Sequence, residues 1–506
     1  LSRAAWEFGV LGYVAILPAL TALLYVRHRM FSTSPVFGQI YVDNPISQPD
    51  GWLAGKLTAI KVIGRYLQLL LFPHQLSSEY SYNQIPLYGQ PGHTAEDIEA
   101  WVALIVLASF IGLAVWWWRK QPLFTWGVGL FFLMQLLTAN LLFPIGSIMG
   151  ERFLYLPSVG FAVVAALGLL GLGQFLARQL GYGSRGTAVL SAGLALLILG
   201  ALGTRTYLRN FDWQDELSLW RSAVQNAPDS FKTYKGLSNA ILADGLKNFP
   251  HDPAKEEASL DQAIATCETG LHILDHTPLP LPKEDDTLYQ DLGNFYRLKG
   301  DFLRDRHELA EARQFYQKSL AVLLRAQRVD NWVNETSHQS SLARGRTEHD
   351  IAVVGNYHIY VHLEQTYERL EDWTNAELAA RHIQLLVPSL GIGYTLCGTD
   401  LAHQGKIRPA VIEFLQAGLL DNGNTDAWQA IATCYNFMGL PAGTLRNDGF
   451  NHVLDTNQPN VRDDVYAACA ALVAEFVEAK QFDNAKALRD KFLNNYKLPA
   501  ELFPKF

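Results

Sequence analysis

Apolar residues are distributed in two ways along this chain, and the change falls near residue 205. Before it they form unbroken runs of about twenty, the length an α-helix needs to cross a bilayer's hydrocarbon; after it they recur three and four positions apart, the spacing of helices with one buried face. Trp6 to Val26 is the first run and carries Pro18, which a membrane helix tolerates. It ends at Arg27, His28 and Arg29, and a polar, turn-rich segment follows from Phe31 to Asp50. Trp52 to Phe72 is apolar but contains Lys56, Lys61 and Arg65, so it either spans the bilayer or re-enters with these residues at headgroup depth.

The later runs set a topology. His74 to Glu99 holds no Lys or Arg, which marks an external loop under the positive-inside tendency. Ile98 to Trp118 then leads inward to Arg119 and Lys120, and Leu123 to Phe143 leads out again. Ser158 to Ala177 returns toward Arg178 and Arg185, and Thr187 to Gly203 brings the chain out. This order places Pro144 to Pro157, with Glu151 and Arg152, on the external face, together with the C-terminal half of the chain.

In that half the pattern repeats. Leu363, Tyr367, Ala376, Ala380 and Pro388 are answered 34 residues later by Gly398, Leu401, Gly405, Ala410, Phe414 and Ala417, and then by Trp428, Ala432, Tyr435 and Gly439. A fixed 34-residue period of paired helices is the mark of a tetratricopeptide solenoid, in which small residues let helices approach and aromatics fill the space between them. Looser units are expected around Tyr234 to Cys267 and Leu292 to Tyr316, and a last one around Leu472 to Ala485. The fold class that follows is all-α: a polytopic membrane module over 1–205, of five or six spans or re-entrant helices, then a solenoid of about six repeats over 206–506. Asn331 to Asp350 is polar and is expected to be a long loop or a partly disordered insertion; its Asn334-Glu335-Thr336 matches the glycosylation acceptor pattern.

Composition agrees with the division. Residues 1–210 carry 13 basic and 8 acidic side chains against 28 and 41 in the remainder, so a sparsely charged membrane part precedes an acidic, water-soluble one. A net charge of −8 without a basic block gives no footprint for nucleic acid. Cys267, Cys397, Cys434 and Cys469 form no C-x-x-C pair and suit small packing positions.

An acid and a base between two apolar runs are costly unless they face protein or a cavity, which singles out Glu151 and Arg152. Arg152, Arg65 and Lys61, with Arg27, Arg29 and Lys56, lie where a cation can hold a lipid phosphate or simply snorkel to the interface. Asp43, Glu79 and Glu151 are the acids able to act as a base or bind a metal, yet no pair of acids falls at a D-x-D or E-x-x-H spacing that would fix both on one ligand. Tyr80, Tyr82, Tyr88 and His74 suit sugar stacking or an interfacial belt. His338, His349, His358 and His362 cluster, with His358 and His362 at i, i+4, but no third ligand accompanies them, so no metal is assigned.

GERFLYLPSVGF at Gly150 to Phe161, DNPIS at Asp43 to Ser47 and YLQLLLFPHQLSSEYSYNQIPL at Tyr66 to Leu87 resemble the transmembrane and tetratricopeptide-repeat O-mannosyltransferase family. The resemblance implies a multispanning glycosyltransferase of the GT-C type that takes a sugar from a polyprenyl phosphate, with the repeats binding the acceptor polypeptide. It favours one large external loop from Arg27 to Glu99. The family's catalytic acids lie in a first external loop that this sequence does not match, so they are expected upstream of Leu1. Donor-lipid candidates are Arg152, Glu151, Arg65, Lys61, Asp43 and Glu79; partners are membrane lipid and a protein or peptide. The alternative is a membrane-anchored tetratricopeptide scaffold that serves as a subunit of a larger membrane complex.

Overall fold

The structure is a computed structural model and describes residues 21–22, 25, 43–47, 51–142, 144–276, 285–348, 351, 353–439, 445–448, 451–454, 459–496 and 498–504. The first apolar run and its basic end, Arg27 to Arg29, therefore lie almost wholly outside the described residues, as does His349. Contacts divide the chain into two compact units, Gln39–Val322 and, with the N-terminal stretch, Leu323–Phe506. The composition boundary near 205 falls inside the first unit. Its helix runs on to Asn210, and the first repeat hairpin is bonded to the membrane module's loops.

In that unit, α1 (Trp52–Leu71) is one unbroken helix of 20 residues, about 30 Å long. Loops clasp one side of it: Thr58 Oγ1 accepts from Tyr88 N at 2.8 Å, Lys61 Nζ donates to Pro86 O at 2.6 Å, Lys56 Nζ donates to Leu141 O, and Tyr66 Oη bonds Gly150. α2 (Thr94–Trp117) carries Glu96 and Asp97 in its first turn, where acids complement the helix dipole. α3 (Pro122–Leu136) and α4 (Pro157–Gln179) each start with proline, whose missing N–H costs nothing in the first turn. α5 is Ser184–Asn210.

Among the described residues, three helical stretches are long and apolar enough to cross a membrane: Thr94–Trp117, Pro157–Gln179 and Ser184–Trp213. Their exposed sides carry Ile105, Val115, Leu170, Leu196 and Leu199, a surface suited to lipid rather than water. The chain is an integral membrane protein. Close packing brings the helices together: a Cβ on Gly64 would meet that of Ala103 at 2.6 Å, and one on Gly160 would lie 2.4 Å from Gly127 O.

The run expected to cross from Leu123 to Phe143 is shorter than the sequence suggested. α3 stops after 15 residues, and the chain turns at Asn140, whose φ is +58°. Backbone of a turn buried in protein must have its polar groups answered from within the protein. Asn140, 2% exposed, does so: its Oδ1 accepts from Ile145 N at 2.8 Å and from Asn44 Nδ2 at 2.9 Å, and its Nδ2 donates to Ser147 O and Ile148 O.

The repeats begin in the same unit with α6 (Glu216–Asn226), α7 (Phe231–Asn248), α8 (Pro253–His276) and α9 (Asp286–Asp305). α10 (Leu309–Ala343) crosses the unit boundary and overturns the expected loop over 331–343. It holds no glycine or proline, and Gln339 to Glu335 and Ser341 to Ser337 O bonds carry the helix through its polar end. In the second unit α11 (Tyr357–Arg369), α13 (Gly391–His403) and α15 (Thr425–Phe437) start 34 residues apart. α12 (Trp373–Leu386) and α14 (Ile407–Leu420) pair with the first two as hairpins. β1 (Leu445–Asp448) and β2 (Asn451–Leu454) add an antiparallel hairpin that the all-α reading did not include, and α16 (Pro459–Glu478) packs on α14 and pairs with α17 (Phe482–Tyr496). The shared positions are core: Leu363, Ala376, Ala380, Leu401, Ala410, Phe414, Ala417, Trp428 and Tyr435 are all buried, as are the four cysteines.

Candidate functional site

Glu151 and Arg152 sit in a short 3-10 turn, Glu151–Leu154, that leads into α4. They do not clamp each other. Glu151 Oε1 accepts from Tyr80 Oη at 2.7 Å and Ser77 N at 2.8 Å; burial pushes its carboxyl above the ordinary value, against those two bonds and the pull of Arg209 and Arg205. Arg152 points outward with its guanidinium over the Phe153 ring, 4.9 Å from the centroid.

The other sequence candidates are mostly engaged. Glu79 Oε1 accepts from the Tyr80 and Ser81 amides at 3.0 and 2.8 Å, so Glu79 and Glu151 hold the same tight turn from opposite ends. Asp43 pairs with Lys232 at the start of the repeats. Lys61, 1% exposed, is committed to Pro86 O. Arg65 pairs with Glu99 at 3.0 Å across α1 and α2, and both groups are open to solvent. Tyr82, expected in a sugar platform or a belt, is instead fully buried with φ +61°: its hydroxyl donates to Leu274 O at 3.0 Å and its ring meets Phe231 edge-on. Tyr88 stacks edge-on against Trp101. Arg205, at the end of the last membrane helix, donates to Pro73 O and His74 O, which fixes the loop that carries these tyrosines. His358 lies beside Tyr357, and among the described residues no group of three His, Cys, Asp or Glu could hold a metal.

Arg65 lines two of three neighbouring spaces that share wall residues. On its outer side a polar cleft of about 300 Å³ is lined by His74, His93, Glu96, Glu99, Tyr80 and, from the repeats, Asn226 and Asp229. On the other side a groove of about 450 Å³ runs between α1 and α2, polar at Lys61, Arg65 and Glu99 and apolar at Leu71, Phe72, Val102 and Val106. Leu67, Leu71 and Val106 carry it into an apolar pocket of about 130 Å³ closed by Phe110, Phe131, Phe132 and Phe161. Lys61 and Arg65 on one helix four residues apart are visible in sequence. Glu96, Glu99 and His93 carry no motif in the sequence, and they join the site because α2 packs against α1.

A module of membrane helices carrying a helical-repeat array, with an amphipathic groove at its outer edge, is the class of protein that these features define. The chain is similar to the TMTC O-mannosyltransferases. It is 28% identical over 320 residues, 57% of this chain and 36% of that protein, to protein O-mannosyl-transferase Tmtc1 of Drosophila melanogaster. It is 29% identical to TMTC4 of Mus musculus over 44% of this chain and 29% of that one, and 30% identical to Tmtc3 of Drosophila melanogaster over 50% and 26%. The matched part spans about a third of the length of these curated relatives. No family model matches the chain. Among solved structures, BtubC (BKLC) from P. vanneervenii aligns over 57% of this chain and 91% of that one at 16% identity with a TM-score of 0.25. The TPR2AB-domain:pHSP90-complex of yeast Sti1 aligns over 55% and 93% at 14% with a TM-score of 0.17. These scores fall short of a shared overall arrangement, and the repeat fold stands on the hairpins and their spacing.

Proposed function

We propose that this chain takes part in protein O-mannosyl transfer, with the membrane module holding a polyprenyl-phosphate sugar and the repeats holding the acceptor polypeptide. In that reaction the oxygen of an acceptor Ser or Thr bonds to the anomeric carbon as the bond to phosphate breaks; polyprenyl phosphate leaves, and the hydroxyl proton passes to a base. The observation that carries the reading is the row of three neighbouring spaces along α1 and α2, two of them lined by Arg65, that share wall residues. A prenyl chain suits the groove between α1 and α2 and the Phe-lined pocket beyond it, a phosphate can replace Glu99 as the partner of Arg65, and the sugar then falls in the polar cleft beside Asn226 and Asp229. Arg152 is a second candidate for the phosphate, since its contact is a ring rather than an acid. The acceptor reading rests on the helical hairpins, which as a class bind extended chains or helices along one face.

The test is photocrosslinking of a prenyl phosphate carrying a photoreactive tail to the full chain in nanodiscs. Labelling should fall on α1 and α2, drop when Val106→Trp fills the groove, and weaken in Arg65→Gln and Arg152→Lys while thermal stability holds. Labelling that ignores all three changes would replace the donor reading with that of a scaffold.

A further inference from the structure

We infer that the second unit contains a binding site for an acidic side chain of a partner polypeptide, and that Glu348 of this chain occupies it as an internal stand-in. The site is a cleft of about 480 Å³ between the C-terminal part of α10, α12 and the turn joining α16 to α17. Arg346 and His382 are among its lining residues, the two cations that meet Glu348 are His338 and Lys480, and Ile351, Val354 and Leu386 give it an apolar floor. All its lining residues belong to the second unit, and it does not depend on the donor reading above.

Glu348 shows what the cations accept. His338 Nε2 lies 3.1 Å from its Oε1, Lys480 Nζ lies 3.2 Å from its Oε2, and the same ammonium donates to Glu348 O at 2.7 Å. The two cations are recessed, with 28% of each side chain exposed, whereas the Glu348 side chain is 64% exposed. The carboxylate is thus the outer member of the cluster and can leave without opening the core. The cleft's own acid, Glu335, is taken by Gln339 Nε2 at 2.7 Å and leaves the cations to an incoming group.

Lys480 has φ +59°, as His307 at +63° and Glu371 at +62° have in two other hairpin turns, while Gly405 at +78° and Gly439 at +74° fill that place after α13 and α15. The Lys480 side chain supplies both ammonium contacts to Glu348. A carboxylate next to aliphatic residues matches the recessed cations and the apolar floor together, because a charge-assisted hydrogen bond fixes the acid while the neighbours leave water.

The test uses the full chain in detergent and two fluorescent peptides, acetyl-Leu-Glu-Leu-Val-amide and its Gln counterpart, followed by polarisation. Glu348→Gln, which removes the competing negative charge, should tighten binding of the Glu peptide at least fivefold, and adding Lys480→Gly should abolish that gain. Lys480→Gly gives the turn its preferred residue, so its thermal midpoint should equal or exceed that of the parent; if it falls, Lys480→Gln with His338→Gln replaces it and should abolish the gain in the same way. The Gln peptide should bind neither form. Equal binding of the two peptides, no tightening in Glu348→Gln, or a gain that survives loss of both cations would each overturn the inference and leave Glu348 as a structural latch.

Discussion

Gly398 in α13 faces the ring of Phe414 in α14. A Cβ added there would lie 2.7 to 2.9 Å from three ring carbons, well inside normal contact, and Phe414 is only 3% exposed and so has no free direction to move. Glycine to alanine inside a helix ordinarily stabilises by roughly 0.5–1 kcal/mol, so the sign of Gly398→Ala is decided by this contact. Overpacking a tight core costs about 1–3 kcal/mol. The internal control is Gly391→Ala, at the start of the same helix, where the nearest atoms would be 3.5 Å away, an ordinary distance. Gly398→Ala should therefore be less stable than Gly391→Ala by about 1–3 kcal/mol. Because repeat arrays open locally, this should appear as roughly five- to a hundredfold faster hydrogen exchange of the α13 and α14 amides in the full chain. Adding Phe414→Leu should restore part of the protection, since the two sites share one contact. Equal exchange in the two alanine variants, or no rescue by Phe414→Leu, would refute the packing argument.

Asp400 is fully buried on α13, and its carboxylate oxygens have no hydrogen-bond partner among the described residues; burial, with Glu368 and Glu377 nearby, pushes its pKa up to about 8. A raised carboxyl binds its proton more tightly in the folded state, so its stabilising effect is complete below about pH 4 and is lost as pH rises through about 8. Asp400→Asn should flatten that slope in denaturant titrations between pH 4 and 8, and parallel slopes would contradict it. Asn140→Ala strands Ile145 N and the carbonyls of Ser147 and Ile148, and at about 1–3 kcal/mol for each buried unsatisfied group it should cost several kcal/mol, read as loss of monodisperse protein in detergent. Single cysteines at Ser147, Gln121 and Ser184, in a background lacking the four native ones, should be labelled by an impermeant thiol reagent in intact cells at Ser147 alone; labelling at Gln121 would invert the assigned topology.

Where the chain enters the membrane and where it repeats was legible in the sequence, because both are local, one-dimensional patterns. Apolar runs such as Ile98 to Trp118 and Ser158 to Ala177 became α2 and α4, and the positions spaced at 34 residues became the cores of α11 to α15. Glu151 and Arg152 are singled out in the sequence by their charge and by the GERFLYLPSVGF resemblance. What that charge does was decided by the tertiary structure. Glu151 meets Ser77 and Tyr80 more than 70 residues away, and Asp43 meets Lys232 across 189, so whether each is a free site residue or a structural bond depends on distances that no local pattern carries. The same holds for Lys61, whose charge suggested a phosphate ligand and whose burial commits it to Pro86 O. Composition misled at 331–343, where polar residues continue a helix because nothing breaks it. It also misled at α3, whose apolar run is cut short by the buried Asn140 turn. Sequence determined which segments leave water, since that depends on their own side chains. Only the fold decided which polar groups remain available, because each must first satisfy whatever partner burial brings to it.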